Sequence, residues 1–172
     1  SLVGSEMCIR DRFTDEGEPV VLGQVQNQVA DHKGIVWTHV ISLRREDAAR
    51  LGYDSAVQWM ALLRSKRAML CKHMKIDSAN LKWYAAFHNE SHHPHVHLLV
   101  YSVKDGEGYL TKQSIEAMRS ELAHDIFRQD FANIYEEQAQ SRMDLKERSE
   151  VVMKTWIDEI RAVSYTHLRA HE

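Results

Sequence analysis

The sequence predicts an α/β (α+β) protein in which an antiparallel sheet is covered by helices and a long helical segment follows. Three observations carry that prediction. Runs at 35–43, 81–88 and 95–103 are rich in β-branched and alternating apolar residues, the signature of half-buried strands. Apolar residues at Trp59, Leu63 and Leu70, and at Ile115, Met118, Leu122 and Ile126, recur at helical spacing. No glycine or proline occurs after Gly108, so nothing in the last third interrupts a helix.

Taken in order, residues 14–19 (TDEGEP) form a turn-rich opening and 20–30 a short helix ending near Gly34. Residues 35–43 (IVWTHVISL) read as a strand, and 44–51 as a short helix stopped at Gly52. Ser55 followed by Gln58 has the spacing of a capping box, opening a helix expected to run unbroken to about His73. That helix should bury some of Trp59, Met60, Leu63 and Leu70 as core and expose Arg64, Lys66, Arg67, Lys72 and Lys75. Residues 77–80 turn into a strand at 81–88, and 95–103 form its hairpin partner across the loop 89–94. The three strands should be adjacent and central. Asp105-Gly106-Glu107-Gly108 is a further turn; Thr111 can cap the next helix, with Leu110 and Ile115 placed as a hydrophobic staple. Residues 112 to about 162 then form one long helix or two consecutive ones.

The chain of 172 residues suits one domain, and 44 % hydrophobic residues can bury a core. No run of about 18 apolar residues could cross a membrane, and no basic-then-apolar opening marks a secretory signal. Two cysteines, Cys8 and Cys71, are too few for a disulfide framework, which favours a reducing, cytoplasmic setting. Net charge is −3, but unevenly spread: residues 44–82 hold nine Lys/Arg against four Asp/Glu, and 105–161 hold eight against thirteen. The basic segment, with Arg44, Arg45, Arg64, Lys66 and Arg67, would suit a polyanion such as DNA; otherwise it is a solvated helix face.

Five of the eleven histidines fall between His88 and His97, in the block FHNESHHPHVHLLVYS. Strand side chains alternate, so His95 and His97 share a face. In a hairpin closed by 89–94, His88 lies opposite His95 on that face, and Ala86 lies opposite His97, leaving room beside it. Imidazole is a common transition-metal ligand. Three such ligands leave coordination positions open, as in a catalytic site. A structural zinc would need a fourth ligand, for which Cys71 is conceivable. Glu90 either accepts the second ring N–H of a liganding histidine or is a solvated loop acid. His92 and His93 face solvent or a substrate backbone, and Pro94 suits the first position of a strand. His39, inside the first strand, is either a packed core residue or a catalytic or DNA-contacting one.

The histidine block resembles the metal-binding motif of conjugative relaxases of the HUH endonuclease superfamily: H-x-D/E, a short loop, then P-H-x-H. The blocks VWTHVISLRREDAARLGY and YLTKQSIEAMRSELAHDIFRQDFANIY resemble the same group, specifically MobA/MobL-type relaxases of the MobP class. The likeness covers roughly Phe13 to Arg148. It implies an antiparallel HUH-type sheet flanked by helices. It implies a bacterial cytoplasmic nickase of plasmids or integrative elements, acting on single-stranded origin-of-transfer DNA with accessory relaxosome and coupling proteins. By the same likeness His88, His95 and His97 hold a divalent metal (Mn or Mg, with Zn, Ni or Co accepted in vitro), and Glu90 is the orienting acid. A tyrosine hydroxyl then attacks the scissile phosphorus.

The nucleophile departs from that pattern. The family places its tyrosine ahead of the block around His39, and no tyrosine precedes His39 here. Tyr84 and Tyr101 share the metal side of the hairpin but read as packing residues, and nothing argues for Tyr53 or Tyr109. Tyr135 would serve a rolling-circle replication initiator or HUH transposase, which carry the tyrosine on a downstream helix. A metal- and single-stranded-DNA-binding module without cleavage, and a zinc-stabilised structural domain, complete the alternatives. Finally, residues 1–11 and 163–172 resemble peptides translated from sequencing-adapter DNA. The expectation is that both are non-native, that 12–140 is a relaxase catalytic fragment lacking its attacking tyrosine, and that 141–162 is a helical extension. Cys8, Tyr165, His167 and His171 are given no role.

Overall fold

The computed structural model describes the backbone of residues 11–169 and the side chains of residues 11–158; Cys8, Tyr165, His167 and His171 lie outside the described side chains. Strand β1 (Arg12–Phe13) leads to helix α1 (Leu22–Ala30), then β2 (Val36–Ser42), α2 (Arg45–Leu51), α3 (Ala56–Ser65) and α4 (Arg67–Met74). The hairpin β3 (Leu81–His88) and β4 (His95–Ser102) is followed by α5 (Lys112–Ile126) and α6 (Arg128–Arg169). The chain separates into two compact units, one ending at Ile126 and the other beginning at Phe127.

In the first unit the four strands form an antiparallel sheet in the order β1-β3-β4-β2. The hairpin is central, as expected, but β2 is an edge strand rather than a central one. Val40 of β2, and Ile35 just before it, are exposed. One sheet face is apolar because alternate residues of the central strands are: Leu81, Trp83, Ala85 and Phe87 on β3, and Val96, Leu98 and Val100 on β4, are all buried. They form the core together with Trp59, Leu63, Leu70, Met74, Met118 and Ile126 from the helices. The Trp83 indole donates to Asp15 Oδ1 at 3.0 Å, and the buried Thr14 hydroxyl donates to the Trp83 carbonyl, tying the opening turn to β3.

The opposite face carries the polar alternates. At one end, Tyr84 and Tyr101 both donate to Gln28 Oε1 of α1, at 3.0 and 3.3 Å, and the His32 ring sits 4.8 Å from that of Tyr101. At the other end lie the histidines.

Gly52, with φ of 80°, closes α2 as predicted, in the left-handed conformation that glycine adopts without a Cβ penalty. Two helix expectations are corrected. Ser55 is the N-cap of α3, but its side chain makes no cap hydrogen bond. The helix expected to run unbroken to His73 breaks at Lys66 (φ −97°, ψ 7°). Ser65 Oγ donates back to the Leu62 carbonyl at 2.6 Å and Lys66 N to Leu63 O at 3.0 Å, a tightened last turn that ends α3. Met60 is only half-buried. Thr111 caps α5 as expected, its Oγ1 accepting from the Ser114 N–H at 3.1 Å.

Of the two helical alternatives for the remainder, consecutive helices is the one observed, with α5 ending at Ile126 and α6 starting at Arg128. Within α6 no described side chain is buried. Local pairs such as Gln129–Asn133 (2.9 Å) and Gln140–Asp144 (2.8 Å) link successive turns along it. Among the described residues no helix is long and apolar enough to cross a membrane.

Candidate metal centre

The register of the central hairpin sets the site. His88 pairs with His95, and Ala86 with His97, so the three imidazoles emerge from one face with only a methyl group beside His97. Ring centroids are 5.0 Å apart for His88–His95, 5.0 Å for His88–His97 and 5.1 Å for His95–His97. One nitrogen from each ring can be chosen so that all three lie within 4.8 Å of one another. Three nitrogens at bonding distance from one ion would sit about 3.4 Å apart in a tetrahedral arrangement. The set therefore fits a small divalent cation after side-chain rotations of an ångström or so.

Burial, then the charges of His97 and His95, lower the pKa of His88, while Glu90 and Asp11 act to raise it. Burial and then His95 lower that of His97. Both rings are consequently neutral near pH 7, the form that donates a lone pair to a metal. His95 Nδ1 lies 3.0 Å from the His93 carbonyl oxygen. A proton on Nδ1 would be donated there, leaving Nε2 as the ligand atom, the arrangement expected around metal-bound histidines.

With the hairpin geometry in hand, the family comparison is decisive: the family model of MobL relaxases matches residues 8–171. The chain belongs to the MobL relaxase family. No curated protein and no solved structure matches it in the same comparisons. Relaxases are DNA-acting nickases of conjugation and mobilisation that generally use a divalent metal, and the histidine triad of this relaxase is a set of residues able to hold one.

Glu90 lies in the hairpin loop, exposed; it touches His88 through charge and not through a hydrogen bond. The group found beside a ring of the triad is instead a backbone carbonyl, that of His93, which no sequence pattern announces. His92 and His93 are exposed, as expected. No fourth His, Cys, Asp or Glu joins the triad among the described residues, Cys71 included.

His39 is separated from the triad by the sheet itself. It pairs with Leu98, a core residue, whereas its neighbour Val40 pairs with His97. The ring thus faces the core side, its Nε2 is buried without a partner, and burial lowers its pKa.

The basic residues are largely engaged within the protein. Arg64 Nε donates to Thr14 O at 2.9 Å. Lys66 pairs with Asp125 of α5. Arg67 binds Asp15 and the Ser78 carbonyl, both at 2.5 Å. Arg45 reaches the histidine loop, and Arg44 is the exposed N-cap of α2. Asp11, set aside on sequence grounds, proves to act on His88.

Among the tyrosines, Tyr84 and Tyr101 are tied to Gln28, and burial followed by Tyr84 pushes Tyr101 up to about 12. Tyr53 packs against Trp59 at 4.9 Å in the core, while Tyr109 and Tyr135 are exposed.

Proposed function

We propose that this relaxase performs metal-dependent, strand-specific nicking of single-stranded origin-of-transfer DNA, with His88, His95 and His97 as the ligands of a divalent ion, Mn²⁺ or Mg²⁺. The observation carrying this reading is the convergence of three imidazoles on one face of one hairpin. Such an ion, when bound, neutralises charge on the scissile phosphate and so stabilises the transition state. The protein's own contribution is to hold the three rings, favour the neutral form of His88 and His97, and leave the approach beside Ala86 open.

In the proposed chemistry a tyrosine oxygen bonds to phosphorus as the bond from phosphorus to O3′ breaks. The leaving O3′ takes up a proton, and the 5′ phosphate remains on tyrosine. The attacking hydroxyl is not supplied by residues 12–158 in this reading. Tyr84 and Tyr101 are hydrogen-bonded to Gln28, Tyr53 is in the core, and no tyrosine precedes His39. In this reading residues 12–158 bind metal and single-stranded DNA without cutting.

Two measurements test this: Mn²⁺ binding, and nicking of single-stranded origin DNA from the element that encodes the relaxase. The chain should bind Mn²⁺ and leave the DNA intact. Cleavage by the chain alone, abolished by Tyr135→Phe, would move the assignment to the initiator or transposase mechanism.

A further inference from the structure

We propose that Arg45 is a positioning residue for the metal centre, a proposal that rests on the metal reading above. The sequence offers Arg45 as a DNA contact. In the structure its guanidinium is occupied by the loop that joins the two ligand-bearing strands. Nη1 donates to Asn89 Oδ1 at 2.8 Å, Nη2 to the Glu90 carbonyl, and Nε to the Ser91 carbonyl at 3.0 Å. Its own backbone N–H donates to the His92 carbonyl at 3.2 Å. One residue thus binds four consecutive loop residues, 89 to 92.

The loop needs such an anchor. Residues 89–93 are all exposed, so burial does not hold them. Leu43 N donates to Pro94 O at 3.1 Å, which extends the β2–β4 ladder and leaves the stretch before Pro94 to Arg45. His88 enters this loop directly, and at its other end the His93 carbonyl contacts the His95 ring. Movement of residues 89–93 would shift both the facing pair His88–His95 and the group that orients His95. A guanidinium suits the task because its planar fork carries donors in fixed directions, whereas a lysine ammonium is a single point on a flexible stem. Neighbouring Arg44 is exposed and supplies a matched control.

The test is titration of the full chain, its Arg45→Lys, Arg45→Ala and Arg44→Ala variants with Co²⁺, whose visible spectrum reports coordination geometry. The thermal midpoint of each metal-free protein is measured alongside. Outer-shell partners of metal ligands typically contribute 10- to 100-fold in affinity. Both Arg45 variants should bind Co²⁺ about 10- to 100-fold more weakly, with an altered spectrum, and Arg44→Ala should match the wild type. Added methylguanidinium should move Arg45→Ala back towards wild-type affinity. Unchanged affinity and spectrum in both Arg45 variants would overturn the positioning role while leaving the metal reading intact. Loss of folding in both would overturn it in favour of a purely structural role. Failure of the wild type to bind Co²⁺ would remove the metal reading and this inference together.

Discussion

His88 and His95 face each other across the hairpin as a directly opposed cross-strand pair, with ring centroids 5.0 Å apart and planes only 5° from parallel. His97 stands nearly perpendicular to both. Strand pairing alone puts His88 beside His95 on one face, since opposed residues on antiparallel strands share a face. Each ring should then be indispensable for binding one ion. His95→Ala is expected to weaken Mn²⁺ or Co²⁺ binding by at least about 100-fold, since a lost direct ligand should cost no less than the 10–100-fold of a lost outer-shell partner. The rings are partly exposed, so the metal-free thermal midpoint should move by no more than a few degrees. Calorimetric titration and thermal unfolding of the same sample check both.

Ala86 is the opening beside His97. A leucine there would place three more carbons on the face where the rings meet. Ala86→Leu should reduce metal affinity at least about tenfold, an effect on the scale of disturbing an outer-shell partner, while Ala86→Ser should stay near wild type. Retained affinity in Ala86→Leu, measured by the same titration, would place the ion away from this face.

The pH dependence of stability has a defined sign. His39, His88 and His97 all have folded pKa values lowered from 6.5, in each case chiefly by burial. The unfolded chain therefore binds protons first as pH falls, so stability is full above about 6.5 and declines below it as pH falls towards the folded values. Denaturant unfolding of the metal-free protein at pH 7.5 and 5.5 should show the loss. His39→Leu should shrink it, because that ring's Nε2 is buried without a partner. Equal stability at the two pH values in the wild type would refute the assignment.

The core of the first unit is built by the buried residues of β3, β4 and the helices, and the triad lies on the other face of the sheet. Stripping metal with a chelator should therefore leave the far-ultraviolet circular dichroism spectrum unchanged and lower the thermal midpoint only by the ligand-linkage amount. Collapse of the fold on chelation would instead indicate a structural zinc domain.

The hairpin was readable from the chain because its rules are local. Alternation puts His95 and His97 on one side, and a short loop makes the register of 81–88 against 95–103 nearly unavoidable. Helix starts and stops at Thr111 and Gly52 were readable for the same reason. The break at Lys66 was not, since it depends on a serine hydroxyl competing for a backbone carbonyl that a continuous helix would also use.

What the order of residues established unaided is the histidine triad: periods of two and a short loop bring residues 88, 95 and 97 together without reference to the rest of the molecule. What needed the folded chain is everything set by distant pairing. The register of β2 against β4 turns His39 towards the core, and the path of the chain from β2 into α2 brings the Arg45 guanidinium to the histidine loop. Those outcomes rest on contacts between segments more than forty residues apart, for which neither periodicity nor spacing carries a signal.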